Sequence, residues 1–148
     1  MAIVEGEYVM VPAYIVGFTE GEGCFLVCIR KDFRIELRFF ISQAIGNKPL
    51  LEEIKSFFGV GSVYQKKAAK GKRLPAYVFE VAKRDDIYNV VIPFFEKHNL
   101  KGYKRKSFET FREISQIVKG RQDTRKLTKK ELIYVREIRT GMNKHYSA

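Results

Sequence analysis

The sequence predicts an α+β fold in the order helix, two strands, helix, two strands, then helices, and three observations predict it. A glycine-spaced apolar helix runs straight into a strand between Ala13 and Phe25. Two pairs of stretches, residues 24–31 with 34–43 and 61–67 with 76–82, read as hairpins, while helical periodicity returns at residues 104–119.

Pro12 suits the first turn of a helix, because its missing N–H would have no partner there anyway, so a helix is expected from about Val11. Ile15, Val16, Phe18 and Thr19 give it bulk. Gly17 and Gly21 stand four apart on one face and leave a bare strip where another helix can approach closely. A glycine inside a helix costs roughly 1 kcal/mol against alanine, so two of them ask for a packing reason. Gly23 is a good stop residue, and from Cys24 the pattern is that of a strand. Asp32 and Phe33 fall at the turn between the first two strands. In the second strand Arg34, Glu36 and Arg38 alternate with Ile35, Leu37 and Phe39, which makes one face charged and buries the other; Phe40 breaks the strict alternation. A helix follows from Asn47, an expected N-cap with Pro49 in the first turn, and ends at Gly59. The second hairpin surrounds the loop AAKGKRLP. Asp85 and Asp86 begin a helix that Pro93 must interrupt or kink. Residues 104–119 place Phe108, Phe111, Ile114 and Ile117 inward, residues 120–127 form a basic linker, and Thr128 with Glu131 makes a capping box for a last helix. There is no internal repeat.

Composition bounds the function independently. The 148 residues are expected to form a single domain, residues 1–148, and 45% hydrophobic with 14% aromatic residues suffices to fill its core. Lys and Arg number 28 against 17 Asp and Glu, a formal charge of +11 that repels itself without an anionic partner. Nucleic acid is the first candidate. No apolar run approaches the ~18 residues of a membrane span and no signal peptide is visible, so a soluble, intracellular protein without a membrane partner is expected, in cytoplasm, nucleoid or an organelle. Cys24 and Cys28 share a strand face about 13 Å apart, too far for a disulfide with each other. They lack the further ligands zinc would need, so both are expected as free thiols.

IVGFTEGEG, residues 15–23, resembles the nine-residue signature of the LAGLIDADG homing endonucleases, with glycines at its third and ninth positions and acids at its sixth and eighth. The resemblance extends to the order of elements from about Pro12 to about Arg139. It implies an αββαββα domain with a saddle-shaped antiparallel sheet. A single copy of the signature implies the homodimeric type, with Ala13, Val16, Gly17, Glu20 and Gly21 pairing across a two-fold axis; the same glycines also suit packing against a helix of the same chain.

The resemblance further implies Mg²⁺, or another divalent cation such as Mn²⁺ or Ca²⁺. Glu22 is the expected metal ligand, and Glu20, nearer the helix packing, the weaker one. Mg²⁺ usually takes only one or two carboxylates, completing its shell with phosphate and water. Gln43 matches a strand-end glutamine that positions water or metal, and Lys104 or Lys101 a charge-stabilising lysine before the long helix. The saddle implies DNA contacts in the major groove, where each base pair presents a distinct pattern. Cys24, Leu26, Cys28 and Arg30 lie on that face, with Arg34, Glu36, Arg38 and Phe40 beside them. Ser62, Tyr64, Lys66, Val78 and Glu80 have matching parity in the other hairpin. Arg30, Arg34 and Arg38 are candidate guanine readers and Leu26 and Val78 candidate partners of thymine methyls, whereas Lys67, Lys70, Lys72 and Arg73 suit phosphates. The expected function is a metal-dependent, site-specific DNA endonuclease cutting a long pseudo-palindromic duplex to leave short 3′ overhangs. Two non-cleaving alternatives use the same fold: an intron RNA maturase and a DNA-binding regulator.

Overall fold

The computed structural model of the chain describes residues 9–67, 75–121 and 127–143. Helix α1 (Pro12–Glu22) passes without an intervening residue into strand β1 (Gly23–Ile29), and a turn leads to β2 (Ile35–Ala44). The Phe33 N–H donates to the Arg30 carbonyl at 2.9 Å, and Asp32 accepts from the Arg34 N–H, which closes that turn. A 3₁₀ turn (Ile45–Asn47) precedes α2 (Lys48–Phe58), followed by β3 (Ser62–Lys66) and β4 (Ala76–Val81). The remaining elements are α3 (Arg84–Asp86), a π-helical turn (Ile87–Val91), α4 (Ile92–Lys97), α5 (Tyr103–Lys119) and α6 (Lys129–Arg139).

Most of the local expectations hold, each for its stated reason. Gly59 takes the left-handed conformation, φ 74°, and its N–H donates to Lys55 O to close α2. The capping box of α6 is complete, with the Glu131 N–H donating to Thr128 Oγ1 and the Thr128 N–H to Glu131 Oε1. Asn47 departs from expectation. It occupies the N-cap position of α2 without capping it, and its side-chain amide donates to Gln43 Oε1 at 2.7 Å. The interruption at Pro93 takes the form of the π-helical turn just before it. Proline removes one N–H and crowds the carbonyl four residues back, and the wider π turn accommodates both.

The four strands form one antiparallel sheet in the order β1-β2-β4-β3. Its helix-covered face carries Phe25, Val27, Ile35, Leu37, Phe39, Ile41, Phe79 and Val81, all buried. Phe25, Phe39 and Phe95 form an aromatic nucleus, with ring centroids 5.1 to 5.4 Å apart. Strand β1 is an edge, and its outward carbonyls are occupied: Arg139 donates to Val27 O and Asn143 to Phe25 O, which blunts the edge against further pairing. Among the described residues the opposite face is partly or fully exposed apart from Val78. Register places Leu26 beside Arg38, Cys28 beside Glu36, and Phe40 between Cys24 and Glu80. Phe40 therefore keeps the alternation in direction and breaks it only in polarity. Among the described residues no helix is long and apolar enough to cross a membrane.

Candidate active site and nucleic-acid interface

The junction of α1, β1 and α5 is built from the signature residues. Thr19 is buried, and its carbonyl accepts the Gly23 N–H. A Cβ at Gly23 would come within 2.7 Å of Thr19 Cγ2, so glycine is required here by close approach; its φ of −82° would suit any residue. Glu20 turns back toward α5. Its carboxylate accepts the Lys101 N–H at 2.6 Å and the Gly102 N–H at 3.2 Å, binding the exposed donors that precede the helix. Both of its oxygens already accept from backbone groups, which leaves Glu20 less open than Glu22 to an incoming cation.

Glu22, two residues on, is exposed at the end of α1 and forms no hydrogen bond or ion pair among the described residues. Beside it Lys104 is 8% exposed and donates from Nζ to Gly23 O at 2.5 Å. No carboxylate among the described residues pairs with that ammonium, an arrangement that leaves a buried cation available to an incoming anion. The structure thus separates the two candidate lysines: the Lys101 side chain is exposed, and only its backbone N–H takes part, bound to Glu20. Burial pushes the Cys24 thiol above its ordinary pKa while neighbouring Lys104 pulls the other way, and both Cys24 and Cys28 are free.

Gln43 lies two residues beyond Ile41, the register partner of Gly23, and so at the same end of the sheet as Glu22. Its amide is already engaged, Nε2 to Ser42 O at 2.9 Å and Oε1 to Asn47. Among the described residues no cluster of three or more His, Cys, Asp or Glu is placed to hold a metal ion. One free carboxylate nevertheless fits a Mg²⁺-type cation, which completes its shell from phosphate and water.

The open sheet face holds the other candidates. Arg30 lies 2.8 Å from Glu36, Arg38 donates to Glu36 at 3.1 Å and approaches Glu80 at 3.9 Å, and Arg34 pairs with Asp32 at 2.8 Å. The Arg30 guanidinium holds the Glu36 carboxyl below its ordinary pKa, partial burial opposes this, and Arg38 adds to it. Tyr64 donates to Glu80 at 3.3 Å, and burial, then Glu80, push its phenol pKa up. Ser62, Lys66 and Lys67 are exposed, and Leu26 is partly so. Val78 is a correction: it faces this side between Ser42 and Tyr64 but is only 3% exposed, leaving no surface for a thymine methyl. Lys70, Lys72 and Arg73 lie outside the described residues. Sequence reasoning missed Ser42 and Ala44, which the register adds to this face. It also missed Phe33 as more than a turn residue: 48% exposed at φ 68°, it has Arg136 over its ring.

On α1, a Cβ at Gly17 or Gly21 would meet nothing within 4 Å. Among the described residues nothing meets the strip, so no described helix of this chain accounts for the glycines. Ala13 is exposed as well, while Val16 is half-buried against the core. Tyr14, 45% exposed and stacked on Phe18, belongs to the same surface; its spacing of three from Gly17 was the available signal.

Residues 15–115 match the family model described as LAGLIDADG endonuclease. The chain belongs to the LAGLIDADG endonuclease family. It is 29% identical over 129 residues to a Neurospora crassa protein named probable intron-encoded endonuclease 2, covering 87% of this chain and 26% of that one. Three curated relatives are matched over only 17 to 36% of their own lengths. Among solved structures, the homing endonuclease I-TnaI aligns with a TM-score of 0.78 at 31% identity, covering 93% of this chain and 90% of its own. I-SmaMI, bound to uncleaved DNA target in the presence of calcium ions, aligns with a TM-score of 0.79 at 25% identity, covering 97% of this chain and 48% of its own. The LAGLIDADG signature residues are therefore those of the α1 end described above, and the αββαββα order with its four-stranded antiparallel sheet is that of the family.

Proposed function

We propose that this chain is one half of a divalent-metal-dependent, site-specific DNA endonuclease, and that two copies assemble through α1 to cut a long pseudo-palindromic duplex, leaving short 3′ overhangs. One observation carries the reading: the outward face of α1 is bare along Gly17 and Gly21 and ends in an uncommitted Glu22. The match to 90% of I-TnaI against 48% of I-SmaMI supports one copy of this fold acting as a half-enzyme. The DNA-bound state of I-SmaMI supports duplex DNA as the partner.

In this assembly Glu22 would hold the cation, which when bound would supply charge neutralisation at the phosphate and a lowered pKa for the attacking water. Lys104 places a positive charge beside that phosphate from a position that bulk water barely reaches. Gln43 orients water once its amide exchanges Ser42 O or Asn47 for it. The open sheet face enters the major groove, a width that a β-ribbon fits. Glu22 favours cleavage over mere binding, because a carboxylate facing phosphate only weakens a protein that does not cut.

A cleavage selection on a randomised duplex library with Mg²⁺ tests the proposal, with sedimentation of the protein on its selected DNA. Recovery of a two-fold symmetric target cut on both strands by a dimer is the expected result. Tight binding without cleavage under any divalent cation would leave a DNA-binding regulator, and preference for structured RNA a maturase.

A further inference from the structure

Among the described residues, each arginine of the open sheet face is already held by a carboxylate. Arg30 Nη2 meets Glu36 Oε1, Arg38 Nη2 meets Glu36 Oε2, and Arg34 Nε meets Asp32 Oδ2, at 2.8, 3.1 and 2.8 Å. Arg38 also reaches toward Glu80, which accepts from Tyr64. The chain of contacts crosses the sheet from the end of β1 through β2 and β4 to β3. In a face meant only to attract phosphate, these acids would be a defect, since non-specific affinity comes from unpaired cations displacing counterions. In a face meant to discriminate, they have a use.

Glu36 stands at the centre, with one oxygen on each of two arginines. Its side chain is 28% exposed, which shields the pair with Arg38 in part, whereas Arg30 and both members of the Arg34–Asp32 pair are more open. A guanidinium next to a carboxylate offers paired donors beside an acceptor. That matches the major-groove edge of a G·C pair, where guanine presents O6 and N7 acceptors and cytosine an N4 donor. A base lacking that pattern returns nothing for the ion pair it disrupts.

Resting on the DNA-binding reading above, we propose that Glu36 is a specificity-determining and positioning residue, which orients Arg30 and Arg38 as one fork and penalises duplexes that do not present G·C in their reach. Specificity here comes from an element that opposes the wrong partner as well as one that favours the right one. Glu80 with Tyr64 anchors the far side of Arg38.

The test compares wild type with Glu36→Gln and Glu36→Asp on the selected target, on single-base variants of it and on an unrelated duplex, at several salt concentrations. Glu36→Gln should bind the unrelated duplex more tightly and with a salt dependence steeper by about one unit of slope, because a released arginine can reach phosphate. Its preference at the base pairs facing Arg30 and Arg38 should fall about tenfold, while preference at pairs facing Ser62 and Lys66 stays as in wild type. Glu36→Asp should recover part of the lost discrimination, and near-equal melting temperatures would separate these effects from a loss of fold. A wild type that discriminates, together with a Glu36→Gln profile unchanged at every base pair, overturns the inference alone. A wild type that binds all duplexes alike overturns the endonuclease reading and this inference with it.

Discussion

At the scale of single residues, the two acids of the signature have parted roles. Glu20 is a strut between α1 and the start of α5, and Glu22 stands free two residues away. Glu22→Gln should abolish cleavage, on the order of a thousandfold or more if the cation supplies several kcal/mol. DNA affinity should hold or rise, because a charge opposing phosphate is lost; gel-shift and cleavage assays on one duplex decide it. Glu20→Ala should instead lower stability by about 0.5–2 kcal/mol, as the loss of a cap does, because two exposed backbone donors exchange the carboxylate for water. Its Mn²⁺ or Ca²⁺ affinity on DNA should stay near wild type, and a large loss of metal binding would return Glu20 to the metal site. Lys104→Met removes a buried cation that has no acidic partner among the described residues. The melting temperature should therefore stay level or rise, while turnover falls. A clear drop in stability with cleavage intact would make Lys104 a structural residue.

Elements add what no residue carries alone. Helix α1 buries only Ile15 and Thr19 fully, and leaves Ala13, Tyr14, Gly17 and Gly21 exposed along its other side. Gly17→Leu should leave the monomer folded, since a Cβ there meets nothing in this chain. It should nevertheless weaken dimerisation and reduce cleavage of both strands together, because the added bulk holds two α1 helices apart. Sedimentation with a strand-specific cleavage assay checks this, and a variant that still dimerises and cuts normally would place the interface elsewhere. The strands show a similar division of labour. Period-two alternation sends Phe25, Phe39 and Phe79 into the core and turns Arg38 and Glu80 to the open face.

For the molecule as a whole, charge is the property that couples fold to partner. The formal +11 is spread over a chain whose sheet-face arginines are paired, so attraction to phosphate rests largely on the cations outside those pairs. Stability should respond to acid in a defined sense. Glu36 and Glu131 titrate below their ordinary 4.5, Glu36 through Arg30 first and Glu131 through the Thr128 N–H first. Depressed folded-state values mean that this stabilisation is complete above the unfolded-state value and is lost as pH falls through the folded one. Melting temperatures should thus hold near neutrality and fall below about pH 4.5, and Glu36→Gln should show a shallower fall. An identical acid profile in the variant would show that its ion pairs contribute nothing in solution.

Local chemistry determined much of this protein from the sequence alone. The turn of Gly59, the capping box at Thr128, the interruption before Pro93 and the two-faced second strand each follow from residues a few positions apart, where steric and hydrogen-bonding preferences act directly. The family resemblance likewise implied Glu22, Gln43 and either Lys104 or Lys101 as site residues, without saying how they sit relative to one another. Tertiary structure alone decided which groups were left over to act. Nothing near Glu20 in the chain reveals that Lys101 and Gly102, some eighty residues on, would take its carboxylate. Nor does strand parity reveal that Val78 is covered, that Asn47 donates to Gln43, or that Arg30, Arg34 and Arg38 each meet an acid. Parity sets the direction of a side chain, whereas its freedom depends on neighbours brought together only by the register of four strands and the docking of α5.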